Sequence, residues 1–163
     1  MDGLGDELPP DWASSLREGG FYGWPWGYAG NHPVPGIAAE RRARVASAIR
    51  PDVLLRAHSA PLDIAFYTGD AFPAHFRGGA FIALHGSWNA RGRRGYEVVY
   101  LPFRDGEPTG WSERFLWGWS TSPDRREVWG RPVGLLVDRD GSLLVSEDGN
   151  GTIWRVSYVG GDR

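Results

Sequence analysis

The feature that most constrains how this chain can fold is an internal repeat. Setting Pro61 over Pro132, an offset of 71, lays "PLDIAFY" on "PVGLLVD", "AFIALHGSWN" on "SLLVSEDGN" and "YEVVYLPF" on "TIWRVSY". In that alignment Ile82 lies over Leu144, His85 over Glu147 and Val98 over Trp154. Each copy reads as three consecutive strands rich in β-branched and aromatic residues, and the second turns through "RDG" and "DGNG". A repeated unit of this kind cannot bury its apolar faces alone, so neighbouring copies are expected to stack. After the first copy "ERFLWG" offers a fourth strand, whereas the second copy runs into "VGGDR" without one.

The fold class expected from this pattern is all-β, an incomplete β-propeller of about two blades. With 24 glycines, 12 prolines and 9 tryptophans among 163 residues, the composition favours short strands and tight turns over long helices. Residues 1–53 are expected to form a loop-rich segment with one short helix, 54–119 a four-stranded blade, and 128–158 three strands of a final blade. In the first of these, "GGFYGWPWGYAGNHPVPG" has too many aromatics for disorder and too much Gly and Pro for regular elements. "IAAERRARVASAIR" places Ile37, Val45 and Ile49 at helical spacing between Gly36 and Pro51, which predicts an amphipathic helix.

Several function classes drop out on composition. No cysteine is present, so disulfides and thiolate metal sites are excluded. Every basic residue is arginine, which removes lysine Schiff-base chemistry and the P-loop. The net charge of −2 gives no field to condense on nucleic acid, and "ERRAR" and "RGRRG" read as local features. Ser87 lacks the Gly-x-Ser-x-Gly setting of a serine hydrolase. No run of about 18 apolar residues occurs, and "MDGLGDELPP" has neither a basic start nor an apolar segment. No membrane span and no signal peptide are therefore expected in the chain.

In a meander, the start of the first strand and the end of the second lie side by side. The repeat thus gathers polar residues at one end of the sheets: His58, Ser59 and Arg131 from strand starts, and His85, Ser87, Asn89, Glu147, Asp148 and Asn150 from strand ends. An imidazole can move a proton and a guanidinium can hold an anion. Glu147 and Asp148, beside Gly149, serve equally as turn formers or metal ligands. His32 and His75 fall in loops, where surface or turn roles are expected.

Taken together, "DGLGDELPPDW", "GGFYGWPWGY", "HSAPLDIAFYTG", "AFIALHGSWN" and "WGRPVGLLVDRDGSLLVSEDGNGTIWRVSY" resemble the carboxy-terminal half of the glucose/sorbosone dehydrogenase family, and the sorbosone branch more than the glucose branch. The resemblance implies a six-bladed propeller that oxidises sugars or sugar aldehydes with pyrroloquinoline quinone (PQQ) and calcium, passing electrons to an external acceptor in the periplasm or outside the cell. It implies cofactor-binding roles for Arg131 and His85 and calcium ligation by backbone carbonyls at Asp2 and Gly3, and His58 and Asn89, gathered at the same end of the sheets, are expected to bind the cofactor with them. His85 falls where the glucose branch has a lysine. The family's general base belongs to the amino-terminal half, so the resemblance implies a fragment that is inactive alone. The alternative reading is a non-enzymatic propeller that acts as a binding or scaffold module, with Trp88 and Trp129 stacking on a ligand.

Overall fold

The structure is a computed structural model that describes residues 2–160. In chain order its strands are β1 (Asp11–Ala13), β2 (Gly27–Tyr28), β3 (His32–Pro33), β4 (Val53–Leu55), β5 (Pro61–Phe66), β6 (Ala80–Leu84), β7 (Glu97–Leu101), β8 (Phe103–Arg104), β9 (Glu107–Pro108), β10 (Glu113–Trp117), β11 (Pro132–Val137), β12 (Leu143–Glu147) and β13 (Thr152–Val156). The α-helix of the described residues, α1, spans Arg42–Ala46 and continues a 3-10 turn over Ala39–Arg41. It is shorter than the helix expected from Ile37 to Ile49. Neither turn has a side-chain cap, and Val45 is the helix residue that is buried. Ile49 leaves the helix to donate its N–H to Phe21 O at 2.8 Å.

The two repeat copies form two antiparallel sheets. One is four-stranded, in the order β10-β7-β6-β5, and the other is three-stranded, in the order β11-β12-β13. β11 lies against β5 and β6. β6 is the central element because all five of its residues are buried. Phe81 points with Val98 and Tyr100 into a cluster that includes Leu143 and Val145 of the three-stranded sheet. On the opposite face, Ile82 and Leu84 join Val99 and Leu101 in packing on Val53 and Leu55 of β4. β4 pairs with β1, so the four-stranded sheet is sandwiched between layers. A continuous apolar run is what burial on both faces requires, and Phe81, Ile82 and Leu84 each contribute about 1.5–3 kcal/mol.

The pairing registers shift the repeat alignment by one residue. Pro61 faces Leu84, and Pro132 faces Glu147, so Leu84 rather than His85 corresponds to Glu147, and His85 corresponds to Asp148. Ala83 faces Val98, whereas Ser146 faces Ile153, so Val98 corresponds to Ile153 rather than Trp154. A slip of one residue exchanges the faces of every side chain on a strand. Both sheets carry a bulge immediately after the opening proline, between Pro61 and Asp63 and between Pro132 and Gly134. Proline has no N–H to give the ladder, which makes it a natural place for the register to jump.

At that bulge the sheets are tied together. The Asp63 carboxylate accepts from the backbone N–H of Leu135 on β11 at 2.7 Å and from Ile64 N–H at 2.8 Å. A charge-assisted bond of this kind satisfies an edge donor of β11 that no strand pairs with. Asp63→Ala is expected to destabilise the protein by about 1–3 kcal/mol, read as a lower urea midpoint, while Glu107→Ala, at an exposed position of β9, leaves the midpoint in place. An unchanged midpoint for Asp63→Ala would remove this tie from the account.

Candidate functional site

The end of the sheets where β5 and β11 begin is built by two matching crossings. His85 N–H donates to Ala60 O at 3.0 Å, and Asp148 N–H donates to Arg131 O at 3.2 Å. These are corresponding positions of the two copies, so each second strand, as it leaves its sheet, is held to the start of the first. Gly86 N–H donates to Ser59 O at 2.9 Å, and the segment 85–89 is thereby bent across the end of β5. Gly86 has φ +98, and a Cβ there would come within 2.6 Å of the Tyr96 ring. Only glycine meets both conditions. The Tyr96 hydroxyl in turn donates to Ser87 O.

His58 and Ala60 both adopt left-handed backbone, with φ of 64 and 53, a conformation that non-glycine residues hold only when their surroundings over-determine it. Here the surroundings do. Ala60 N–H donates to an Asp11 carboxylate oxygen at 2.9 Å, the Ser59 hydroxyl donates to Arg56 O at 2.6 Å, and His58 Nε2 lies 2.9 Å from Gly5 O. That last contact ties the amino-terminal segment to the site. Asp2 and Gly3 lie in a 3-10 turn, Asp2–Leu4, just ahead of Gly5.

The site residues expected from the sequence fall into two adjoining groups. Arg131 and His85 meet: the guanidinium donates through Nη2 to Gly86 O at 3.1 Å and through Nε to His85 O at 3.4 Å, and it lies 5.8 Å from the Tyr96 ring centroid. His85 Nε2 sits 3.0 and 3.1 Å from the two carboxylate oxygens of Asp148, so the imidazole bridges the two sheets. His58 and Asn89 instead line a cleft of about 140 Å³ together with Gly86, Ser87 and the exposed indole of Trp88. Gly86 belongs to both groups, since its carbonyl takes Arg131 and its backbone lines the cleft. The sequence places His85 and Asp148 at the same end of the sheets but carries no signal that they pair.

Glu147 does structural work. It is 4% exposed and accepts from the N–H groups of Arg131, Asn150 and Thr152 at 3.1–3.2 Å. Burial pushes its carboxyl up, but these backbone donors outweigh burial and hold it below the ordinary glutamate value of 4.5. The four-residue turn that follows β12 and the start of β11 are thereby fixed to a single carboxylate. His75 contacts Glu113 rather than any of these groups. Among the described residues, no group of three or more His, Cys, Asp or Glu side chains could hold a metal ion.

A carboxyl depressed by folding stabilises the fold fully above its ordinary pKa and loses that contribution as pH falls through the folded value. Glu147→Gln is therefore expected to cost about 1–3 kcal/mol at pH 7, and the gap between the parent and the variant should narrow as the pH is lowered below the ordinary carboxylate range. A gap in urea-denaturation free energy that stays constant down to strongly acidic pH would contradict this.

Residues 39–159 match the TrAA12-like family. Over 161 residues the chain is 34% identical to an uncharacterized protein of Borreliella burgdorferi, a match that covers 97% of this chain and 41% of that protein. It is 33% identical over 132 residues to a pyrroloquinoline quinone-dependent pyranose dehydrogenase of Coprinopsis cinerea, covering 71% of this chain and 17% of the enzyme. The solved iodide structure of the Trichoderma reesei carbohydrate-active enzyme of family AA12 superposes with a TM-score of 0.66 at 27% identity, covering 83% of this chain and 38% of that one. The chain thus spans well under half the length of the relatives it matches.

Proposed function

This chain belongs to the TrAA12-like family, and we propose that it supplies part of the cofactor face of a PQQ-dependent sugar dehydrogenase of the sorbosone type. The observation that carries the reading is the meeting of Arg131 with the 85–89 segment at one end of the two sheets. In this reading the sheets are two neighbouring blades of a six-bladed propeller, and the chain is its carboxy-terminal portion. The second sheet ends at β13, whereas the first has β10 outside β7. A cleft of about 350 Å³ lined by Trp117, Trp119, Trp129 and Trp154 runs beside β13, where an outer strand would pack.

The donors present fit a flat tricarboxylate in kind. Arg131 keeps guanidinium N–H groups beyond the two it gives to carbonyls, Asn89 is exposed, and the indole of Trp88, 74% exposed, offers an aromatic face. His58 gives its Nε2–H to Gly5 O and His85 gives its own to the Asp148 carboxylate, so the nitrogen left on each ring is an acceptor in that tautomer, and Asp148 holds the His85 imidazole in place. The cleft lined by His58 and Asn89 is small, about 140 Å³, so other parts of the longer protein would complete the site. PQQ, when bound, supplies the acceptor for the two electrons leaving the sugar. Calcium would rest on the carbonyl oxygens of Asp2 and Gly3, the ligand type a hard cation takes, with its remaining ligands coming from elsewhere. The base that accepts the sugar's proton would lie outside this chain, and the longer protein would act in the periplasm or outside the cell on a sugar or sugar aldehyde, with an external electron acceptor.

Titrating the chain with PQQ and calcium is expected to raise its melting temperature and perturb the quinone absorbance, and Arg131→Ala should weaken binding at least tenfold. Dye-linked sugar oxidation should be absent from this polypeptide and present in a protein that adds the preceding blades. Sugar binding that needs no quinone would favour the binding or scaffold module instead.

A further inference from the structure

The "RGRRG" loop builds a second cleft that the quinone reading does not use. Arg93 and Arg94 from this loop, Arg56 after β4 and Arg114 of β10 line a depression of about 330 Å³, together with Thr121 and Ser122 of the linker that follows β10. The linker is fixed to the loop by Arg93 N–H, which donates to Pro123 O at 2.8 Å. Four guanidinium groups around one depression repel each other unless anions intervene, and the chain provides only part of what is needed. Glu7 pairs with Arg94 at 3.0 Å and Glu97 with Arg114 at 2.5 Å. Arg93 is anchored through Nη1 to Ser87 O at 2.9 Å, a neutral acceptor. Arg56 is exposed, and among the described residues its guanidinium has no carboxylate within ion-pair reach.

Arg94 is the buried member of the cluster. It is 6% exposed, its two terminal nitrogens bond Asp6 O and the Glu7 carboxylate, and its Nε–H is buried with no partner. The Arg94 guanidinium therefore forms a fixed, buried wall of the cleft, held by the amino-terminal segment.

We propose that this cleft binds an oxyanion headgroup carried on a hydroxylated molecule of about monosaccharide size. Arg56 and Arg93 supply uncompensated charge, and the Thr121 and Ser122 hydroxyls take the polar remainder. Guanidinium forks suit carboxylate and phosphate alike, so a sugar phosphate and a sugar acid share the required chemistry. The site does not depend on the quinone reading, because none of its arginines is Arg131 and no cofactor is needed to fill it.

The test is calorimetric titration of the chain with inorganic phosphate and, separately, sodium glucuronate, against sodium chloride at matched ionic strength. Saturable binding of at least one oxyanion above the chloride baseline is expected. Phosphate alone would assign the headgroup as phosphate, glucuronate alone as carboxylate, and both as either. The Arg56→Gln/Arg93→Gln double variant should bind at least tenfold more weakly, while Arg139→Gln in the β11–β12 turn binds as the parent does. In the parent, amide NMR shifts at Gly95, Thr121 and Ser122 should follow the same titration, which keeps the test valid if the double variant folds poorly. Binding no stronger than chloride, an unaffected double variant that retains its fold, or shifts confined to other residues would overturn the proposal.

Discussion

A strand without a solvent face organises this molecule. Because β6 is apolar and buried along its whole length, it forms part of the protein only if material covers both sides of its sheet. β11–β13 cover one side and the β1–β4 pair the other. That requirement brings the amino-terminal segment, the four-stranded sheet and the three-stranded sheet into register, and it places the polar residues that follow β6 beside the start of β11. The positions of His85, Gly86 and Arg131 relative to each other follow from that packing.

The ties between the sheets are polar and sit at their edges. Asp63 closes the interface at the bulge through Leu135 N–H, and the His85–Asp148 and Arg131–Gly86 contacts close it at the end where β5 and β11 begin. Apolar burial supplies most of the stabilisation, but it is indifferent to small rotations of one sheet on the other. Directional bonds select one alignment. The carboxylates at this end are largely committed to such tasks, Glu147 to three backbone donors and Asp148 to an imidazole, which leaves the guanidinium of Arg131 and the cleft beside Trp88 as the groups able to meet a ligand.

The strand content was legible because β-branched and aromatic runs alternate with Gly, Pro and Asp turns, and these are local signals. The predominance of strand over helix follows directly from them. What failed was register. The alignment put His85 over Glu147 because both end an apolar run, yet the pairing depends on a bulge after each opening proline, and bulges leave no residue signature strong enough to place them. The His85–Asp148 contact was out of reach for a different reason, since it joins two sheets and depends on how they pack. The helix over "IAAERRARVASAIR" came out shorter because Val45 is the residue the core accepts there, and without caps or further buried positions the flanking turns follow other bonds. The link between Asp63 and Leu135 was also beyond the sequence, since it joins residues 72 apart, although an aspartate in mid-strand was a hint that a partner existed.

If the two sheets form a single packed unit around β6, they should open as one. Native-state hydrogen exchange of the backbone amides measures this directly. The slowest amides of β6 and of β12 are predicted to exchange with the same free energy and the same denaturant dependence as global unfolding. Exchange of β11–β13 through a separate, much less costly opening, with β6 still protected, would contradict the account by showing that the three-stranded sheet merely rests on its neighbour.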